Sequence, residues 1–166
     1  MLSGIPNSSR PDLRSIASSS STREVSPVGK ERFNPEDYTV LVIDDDTAFL
    51  DTVVSWLRES GYKVLQADNI SGAKERFQAC DVSLVVSDNN IESRTSNDGI
   101  ILRRFMMKDD GLRKVPFILL SGNEIGPEDV GGLSISFCIR KPVSLACLES
   151  VIQRALEQRI TPLPVI

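Results

Sequence analysis

Short apolar runs alternate with amphipathic stretches along the chain from Tyr38 onward. The apolar runs are rich in β-branched residues, as expected of strands that are buried on both faces, and they fall at residues 39–43, 62–66, 82–87, 115–120 and 135–139. Strands that alternate with helical stretches are typical of β-α units, which build a parallel sheet. The pattern therefore predicts an α/β domain with an open, doubly wound sheet of five parallel strands and helices on both faces.

Apolar residues at helical spacing mark the helices between these strands. The first helix precedes Gly61, which suits the C′ position of a helix, and the second covers residues 71–79. The third helix carries its apolar residues at Ile101, Leu102, Phe105 and Met106.

The fourth helix has little sequence in which to form. Within residues 123–133, Pro127 can begin a helix at its first position, but Gly131 and Gly132 follow after one turn. Each glycine disfavours a helix interior by about 1 kcal/mol relative to Ala. We therefore expect a fourth helix of at most about two turns. The last helix is predicted to follow Ser144, a suitable N-cap.

The predicted domain covers residues 38–159. Residues 1–37 are rich in Ser and Pro and carry few large apolar side chains, so they cannot bury enough surface to offset the entropy of ordering. We expect an inert disordered tail there, with a transit peptide or a cluster of regulatory phosphorylation sites as the alternatives. Residues 160–166 are predicted to be a short C-terminal tail, in which Pro162 and Pro164 bar further helix. We expect no second, output domain after the last helix.

The composition excludes several classes of function. The chain of 166 residues contains no histidine, which rules out His-dependent nucleophilic catalysis, His-based zinc sites and a phosphohistidine on this chain. Its formal net charge of −4 argues against a nucleic-acid surface, which needs clustered cations. No apolar run approaches the roughly 20 residues that span a bilayer, and the N-terminal segment lacks the apolar region of a secretory signal. We therefore predict a soluble, cytoplasmic protein without nucleic-acid or membrane partners.

The cysteines give no indication of a metal site or of a disulfide framework. Cys80, Cys138 and Cys147 are odd in number and lack the CxxC spacing of a zinc site. Because free Cys is among the most buried residue types, we expect three small buried thiols in a reducing compartment.

Polar residues with complementary chemistry stand at the carboxyl ends of the predicted strands. These residues are Asp44, Asp45 and Asp46 after the first strand, Asp88 after the third, Ser121 after the fourth and Lys141 after the fifth. Ligands of doubly wound sheets bind outside these ends. If Asp44, Asp45 and Asp88 converge, two carboxylates about 5 Å apart repel each other by roughly 3 kcal/mol at an effective dielectric constant of 20. Such a cluster favours a bound cation.

The donor types at the strand ends favour a magnesium ion and a phosphoryl group. Oxygen ligands without His or Cys select Mg²⁺ or a similar hard cation, which also engages phosphate oxygens. Lys141 and Ser121 suit the remaining phosphoryl oxygens, as an ammonium and a hydroxyl donor. A carboxylate that acts as the nucleophile forms an aspartyl phosphate. The strand ends thus indicate phosphoryl transfer to an aspartate, with Mg²⁺ as the cofactor.

Four motifs, LVIDDD, LVVSD, FILLSG and IRKP, occur in this order along the chain. Together they resemble the receiver domain of two-component response regulators, from residue 38 to about residue 159. The resemblance implies a sheet with the flavodoxin-like strand order 2-1-3-4-5. The site residues that it implies are the phosphoacceptor Asp88, the Mg²⁺ ligands Asp44, Asp45, Asp88 and the backbone carbonyl of Asn90, the switch hydroxyl of Ser121, and Lys141, which pairs with the phosphoryl group.

The function that this resemblance implies is a phosphorylation-dependent switch. Asp88 takes a phosphoryl group from the phosphohistidine of a histidine kinase or a histidine phosphotransfer protein. The signal then passes by contacts to a downstream protein that the sequence does not identify. The protein catalyses only its own phosphorylation and dephosphorylation, so we do not expect an enzyme that turns over a metabolite.

A loop and a single position depart from the family pattern, and two alternative functions remain open. The loop between Asn89 and Asp98 is longer and more polar than usual, and Cys138 stands at the position of the switch aromatic. These departures favour a pseudo-receiver that binds partners without being phosphorylated. The other alternative is a phosphatase of the haloacid-dehalogenase type, because the run Asp44-Asp45-Asp46-Thr47 is similar to its DxDxT motif, with Asp44 as the nucleophile and Thr one position early. That interpretation leaves Asp88 unexplained.

Overall fold

A computed structural model of the protein describes residues 32–93 and 96–160. Within these residues it contains a five-stranded sheet in the order β2-β1-β3-β4-β5, with every neighbouring pair parallel. The strands are β1 (Thr39–Ile43), β2 (Lys63–Ala67), β3 (Leu84–Asp88), β4 (Phe117–Ser121) and β5 (Phe137–Arg140). The helices are α1 (Thr47–Glu59), α2 (Ile70–Ala79), α3 (Asp98–Met106), α4 (Pro127–Val130) and α5 (Leu145–Ile160). The predicted doubly wound fold and its strand order are confirmed.

Four of the five strands begin one or two residues later than the apolar runs that predicted them. Val82 and Val115 explain the difference, because both side chains are buried although they precede the strands β3 and β4. An apolar run indicates that its side chains are buried, whereas a strand begins only where the neighbouring strand supplies hydrogen-bond partners. The runs therefore included core residues at the entry to each strand.

The side chains of the central strands alternate between two core layers. Val40 and Val42 of β1 pack in the layer that also contains buried residues of α1 and α5. Leu41 and Ile43 pack in the layer that contains buried residues of α2 and α3. Because successive side chains of a strand point to opposite faces of the sheet, α1 and α5 cover one face, and α2 and α3 cover the other.

Side-chain caps begin the helices directly after the strand ends. The Oδ1 atom of Asp46 accepts hydrogen bonds of 3.1 Å from the backbone N–H groups of Ala48 and Phe49, which opens α1. Ser144 accepts one of 3.2 Å from the Cys147 N–H at the start of α5, as predicted. At the other end of α1, Gly61 has φ +96°, which glycine adopts without strain. These local signals place the chain turns where the sequence predicted them.

The fourth helix is a single turn of four residues, Pro127–Val130, and none of them is buried. The predicted shortness of this helix is confirmed. The peptide bond between Lys141 and Pro142, directly after β5, is cis. No helix among residues 32–93 and 96–160 is long and apolar enough to cross a bilayer.

Two expectations about the chain need correction. Cys80, Cys138 and Cys147 are free but exposed, not buried, because they stand at the end of α2, on the edge strand β5 and in the first turn of α5. Residues 33–37, assigned to the tail, pack on the domain: Phe33 stacks on Tyr38 with ring centroids 5.1 Å apart. The remaining tail residues up to 31, and residues 161–166, lie outside the described part of the chain.

Candidate functional site

The predicted site residues meet at one edge of the sheet. Asp44 follows β1, Asp88 ends β3, Ser121 ends β4 and Lys141 follows β5. The strands β1, β3, β4 and β5 are consecutive in the sheet, so parallel pairing carries all four residues to the same end. This convergence was expected from the strand ends alone.

Three carboxylates form the acidic part of the site. One carboxylate oxygen from each of Asp44, Asp45 and Asp88 lies within 4.8 Å of the other two. Asp44 is 1% exposed and Asp88 is 6% exposed, whereas Asp45 is exposed to solvent. The cluster therefore has a buried pair of carboxylates and a third carboxylate at its mouth.

Lys141 supplies the charge that balances the buried pair. Its Nζ atom lies 2.6 Å from Asp44 Oδ2 and 3.1 Å from Asp88 Oδ1, and 4.7 Å from the centroid of the Phe49 ring. Burial by itself lowers the pKa of the Lys141 ammonium, but the hydrogen bonds and charges of Asp44 and Asp88 outweigh burial, and the pKa is raised. Lys141 is therefore protonated at neutral pH and bridges the two carboxylates.

Asp44 is fixed from two sides. Its Oδ1 atom accepts a 3.0 Å hydrogen bond from the backbone N–H of Asp46, and its Oδ2 atom accepts one from Lys141. Burial raises the pKa of the Asp44 carboxyl, and the contact with Lys141 offsets only part of that rise. A cation in the cluster would favour the charged form of Asp44 further.

The backbone after β3 wraps around the Asp88 carboxylate. The N–H of Asn90 donates a 3.0 Å hydrogen bond to Asp88 Oδ2, so both oxygens of Asp88 have a donor. The Asn90 side chain donates to the carbonyl of Ser96, which ties the residue to the loop beyond it. The backbone N–H of Asn90 thus lies at the site, next to the carboxylate of Asp88.

Asp98 organises this loop, a role that the sequence analysis missed. Its Oδ2 atom accepts hydrogen bonds from the backbone N–H groups of Ile91 at 3.0 Å and Glu92 at 2.8 Å, and from the hydroxyl of Ser96. Asp98 is 8% exposed. The signal in the sequence was an acidic residue at the first position of a helix, where carboxylates commonly bind backbone N–H groups.

Gly99 allows α3 to approach the phosphoacceptor position closely. Its N–H donates a 3.2 Å hydrogen bond to the Asn89 carbonyl. A Cβ atom at this position would lie 2.6 Å from the backbone oxygen of Asp88 and 2.6 Å from Leu119 Cδ1. Only glycine therefore fits between the start of α3 and the strands β3 and β4.

Ser121 is buried at the end of β4 and is 1% exposed. Its Oγ atom accepts a 3.1 Å hydrogen bond from the backbone N–H of Asn123. In the β3–β4 ladder Asp88 pairs with Leu120, so Ser121 lies one position beyond it, on the side of the acidic cluster.

The next strand lacks the aromatic residue of the family pattern. Cys138 is exposed on β5, while the neighbouring Phe137 is partly buried against the α1 and α5 layer. The Arg154 guanidinium lies 5.6 Å from the centroid of the Phe137 ring. Adjacent residues of a strand point to opposite faces, so Phe137 does not substitute for an aromatic at position 138.

The ligand set suits Mg²⁺. All the donors are oxygens, from two buried carboxylates and one exposed carboxylate, and Mg²⁺ takes one or two carboxylates while keeping several waters. Asp46, the second aspartate of the DxDxT interpretation, caps α1 instead of joining the cluster. The arrangement therefore has Asp88, not Asp46, as the partner of Asp44.

The sequence of the chain matches a known protein family and a curated relative. A family model described as the response regulator receiver domain matches residues 40–153. The response regulator RR06 of Streptococcus pneumoniae serotype 2 is 29% identical over 111 residues, which are 66% of this chain and 48% of that protein. The chain thus matches about half the length of this curated relative.

Solved structures of receiver domains share the fold of this chain. A response regulator receiver domain protein from Clostridium thermocellum is 25% identical, with a TM-score of 0.61, and the match covers 74% of this chain and 97% of that one. The receiver domain of a signal transduction histidine kinase from Syntrophus aciditrophicus is 23% identical, with a TM-score of 0.65 and coverage of 78% and 97%. The chemotaxis response regulator CheY4 of Vibrio cholerae is 22% identical, with a TM-score of 0.64 and coverage of 72% and 98%.

Proposed function

The chain belongs to the response regulator receiver domain family, and we propose that it acts as a phosphoacceptor switch in which Asp88 receives the phosphoryl group. The donor is a phosphohistidine on a histidine kinase or a histidine phosphotransfer protein, because this chain contains no histidine of its own. The observation that carries the proposal is the convergence of Asp44, Asp45, Asp88 and Lys141 at the ends of three different strands.

The transfer exchanges one bond to phosphorus for another. A carboxylate oxygen of Asp88 attacks the phosphorus atom, and the bond between phosphorus and the donor's imidazole nitrogen breaks, leaving its electron pair on the ring. The product is an acyl phosphate on Asp88 and a free histidine on the donor. Attack of water on the phosphorus later restores the carboxylate and releases inorganic phosphate. The protein turns over no metabolite in this cycle.

Each side chain at the site has a defined task in this reaction. Asp44, Asp45, Asp88 and the backbone carbonyl of Asn90 would hold Mg²⁺, which when bound neutralises charge on the phosphoryl oxygens. Lys141 already contacts Asp88 Oδ1 at 3.1 Å, so its ammonium can move to a phosphoryl oxygen with a small displacement. The Ser121 hydroxyl donates to another phosphoryl oxygen.

The proposed switch works in the cytoplasm and signals through contacts with a downstream protein. All three cysteines are free and exposed, which fits a reducing compartment. Phosphorylation would draw the Ser121 hydroxyl toward the phosphoryl group and so change the segment between Ser121 and α4. Because Cys138 is small and exposed, this segment carries the change without an aromatic partner at position 138.

A pseudo-receiver that binds partners without being phosphorylated is the second candidate. The observation that favours it is the exposed Cys138 in place of an aromatic side chain, together with the polar loop between Asn89 and Asp98. The test of phosphorylation on Asp88 separates the two candidates.

The decisive experiment is mass spectrometry after incubation with acetyl phosphate. We expect one added phosphoryl group on the wild-type protein in Mg²⁺ and none when the metal is chelated. Asp88→Asn should remain unmodified, since an amide is a poor nucleophile, whereas the exposed Asp68→Asn should be modified like wild type. Equal modification of Asp88→Asn would refute the assignment, and an unmodified wild-type protein would favour the pseudo-receiver.

A thermal shift measurement tests the metal ligands separately. Mg²⁺ at about 100 times its dissociation constant should stabilise the wild-type protein by about 2.7 kcal/mol, and Asp45→Ala should lose most of this effect. Without Mg²⁺ we expect the substitution to change stability by less than about 1 kcal/mol, because Asp45 is exposed and its repulsion is screened. Stabilisation of Asp45→Ala equal to that of wild type would exclude Asp45 as a ligand.

A further inference from the structure

The outer face of α3 exposes two large apolar side chains. Ile101 is 56% exposed and Phe105 is 41% exposed, and they are two of the three large apolar residues exposed in the described part of the chain. They stand four residues apart and therefore lie side by side on the helix. The core-facing side of α3 is formed by other residues, including Leu102 and Met106, so this pair plays no part in the core.

Cations surround this apolar pair. The Lys74 ammonium on α2 lies 4.8 Å from the centroid of the Phe105 ring. Arg104 follows Ile101 by three positions, and Lys108 follows Phe105 by three positions in the turn that continues α3, so both fall on the same side of the helix. All three cations are exposed. We call these five residues (Lys74, Ile101, Arg104, Phe105 and Lys108) the α3 patch.

No carboxylate of the described residues forms an ion pair with the cations of the α3 patch. Asp110 is paired with Arg113 at 3.1 Å, and Asp109 accepts hydrogen bonds from the backbone N–H groups of Gly111 and Leu112. Glu75 is adjacent to Lys74 in sequence, and neighbouring residues of a helix point in different directions. The patch thus combines an exposed apolar centre with cations that form no ion pair with any residue that the structure describes.

We propose that the α3 patch binds an acidic amphipathic helix of a partner protein. The apolar stripe of such a helix would cover Ile101 and Phe105, and its flanking carboxylates would pair with Lys74, Arg104 and Lys108. Exposed apolar patches rimmed by polar residues mark interaction sites, and a buried aromatic at the centre of an interface commonly dominates its affinity. The charge of the patch selects the acidic partner.

The net charge of the chain favours a short acidic segment over an extended anionic surface. The chain carries −4 overall, so a membrane of anionic lipids or a nucleic acid would be repelled by the rest of the molecule. A partner helix contacts only the patch and meets the local positive charge. The patch is exposed with Asp88 unmodified, so the proposal does not rest on phosphorylation.

The experiment is a selection from a library of displayed random peptides of roughly 20 residues, long enough to form helices. Wild-type protein is the target, and the double variant Ile101→Ser with Phe105→Ser is used to remove peptides that bind elsewhere. We expect the selected peptides to carry acidic residues beside apolar residues three and four positions apart. Synthetic copies of these peptides are then titrated against purified wild-type and variant proteins.

Two kinds of variant make the result specific. The double variant should weaken binding by at least about tenfold, and so should Lys74→Glu combined with Arg104→Glu, which leaves the apolar pair intact. Lys63→Glu, which reverses one charge at an exposed position on β2, should bind like wild type. Higher salt should weaken binding, because exposed charge pairs are screened. Melting curves show that each variant is folded before it is compared.

Three outcomes would overturn the proposal. One is the recovery of no peptide whose binding depends on Ile101 and Phe105, or of peptides without acidic residues. Another is binding of wild-type protein, but not of the double variant, to vesicles of phosphatidylserine and phosphatidylcholine, which would indicate a membrane surface. The third is self-association in sedimentation experiments that the double variant abolishes, which would indicate a second copy of the chain as the occupant.

Discussion

Lys141 Nζ lies 2.6 Å from the carboxylate oxygen Oδ2 of Asp44, a residue 97 positions earlier in the chain. The Asp44 side chain is 1% exposed, whereas that of Lys141 is 27% exposed. A buried carboxylate that loses its cation keeps the cost of its desolvation without compensation. The protein therefore stabilises its own acidic cluster through Lys141.

Replacing Lys141 should therefore destabilise the protein. We expect Lys141→Ala to lower the free energy of unfolding by about 1–3 kcal/mol near neutral pH, because two buried carboxylates then lose their donor and repel each other. The loss should shrink as the pH falls, since the pKa of Asp44 is already raised by burial and protonation removes its charge. Urea unfolding at neutral and acidic pH measures both effects.

The control for Lys141 is Lys114→Ala, which removes an exposed lysine outside the site. It should change the free energy of unfolding by less than about 0.5 kcal/mol at either pH. An equal effect of the two substitutions would show that the contacts of Lys141 with Asp44 and Asp88 do not stabilise the fold.

Gly99→Ala should destabilise the protein by about 1–3 kcal/mol, because its Cβ atom would overpack the core. The clash involves the backbone oxygen of Asp88, so the substitution should also weaken stabilisation by Mg²⁺. Gly72→Ala is the matched control, since a Cβ atom there finds its nearest neighbours at 3.5 Å. As a helical glycine, Gly72 should give a gain of about 0.5–1 kcal/mol. Chemical unfolding of both variants measures whether Gly99→Ala lowers the free energy of unfolding while Gly72→Ala raises it.

Tyr62 should make the protein less stable in alkaline solution. Burial, followed by the charges of Glu149 and Glu157, raises the pKa of Tyr62 from 10.0 to about 12, so the unfolded chain loses its phenolic proton first as the pH rises. Stability is therefore lost between about pH 10 and pH 12, by on the order of 2–3 kcal/mol at about 1.4 kcal/mol per pH unit. The measurement is the free energy of unfolding against pH.

Tyr62→Phe removes the titrating group while it keeps the ring in the core. The difference in stability between Tyr62→Phe and the wild-type protein should be constant below about pH 10 and should grow above it. A difference that stays constant through the alkaline range would contradict the raised pKa of Tyr62.

The segment from Ser121 to Leu133 should exchange its amide protons fastest, apart from the ends of the described chain and the loop between Asn89 and Asp98. It contains α4, a single turn without a buried residue, and backbone groups that are exposed to solvent exchange through local opening. We expect phosphorylation to change protection in this segment more than in α5. Hydrogen exchange with mass spectrometry measures both.

The prediction for α4 would be contradicted by slow exchange across Pro127–Val130. A larger phosphorylation-dependent change in α5 than in the segment from Ser121 to Leu133 would show that the signal leaves the domain by a different face. Amide hydrogen exchange of the Asp88→Asn variant in acetyl phosphate is the control for effects of the reagent, because this variant should not be phosphorylated.

The sequence alone determined the class of fold, the polarity of the sheet and the main members of the candidate site. Continuous β-branched runs are readable because both faces of a parallel strand are buried. Once the strands are known to be parallel, Asp44, Asp88, Ser121 and Lys141 must lie at one edge. The caps Asp46 and Ser144 were also open to prediction, because a cap acts within its own turn.

Only the tertiary structure decided which side chains are buried and which charges meet. Ile101 and Phe105 share the helical spacing of core residues, and Cys138 lies between apolar neighbours, yet all three are exposed. The pairing of Lys141 with Asp44, and the position of Asp45 at the mouth of the cluster, likewise depend on segments that are distant in sequence. Burial and ion pairing depend on which elements pack against each other. Local sequence patterns do not specify how the helices pack on the sheet, so they do not specify these contacts.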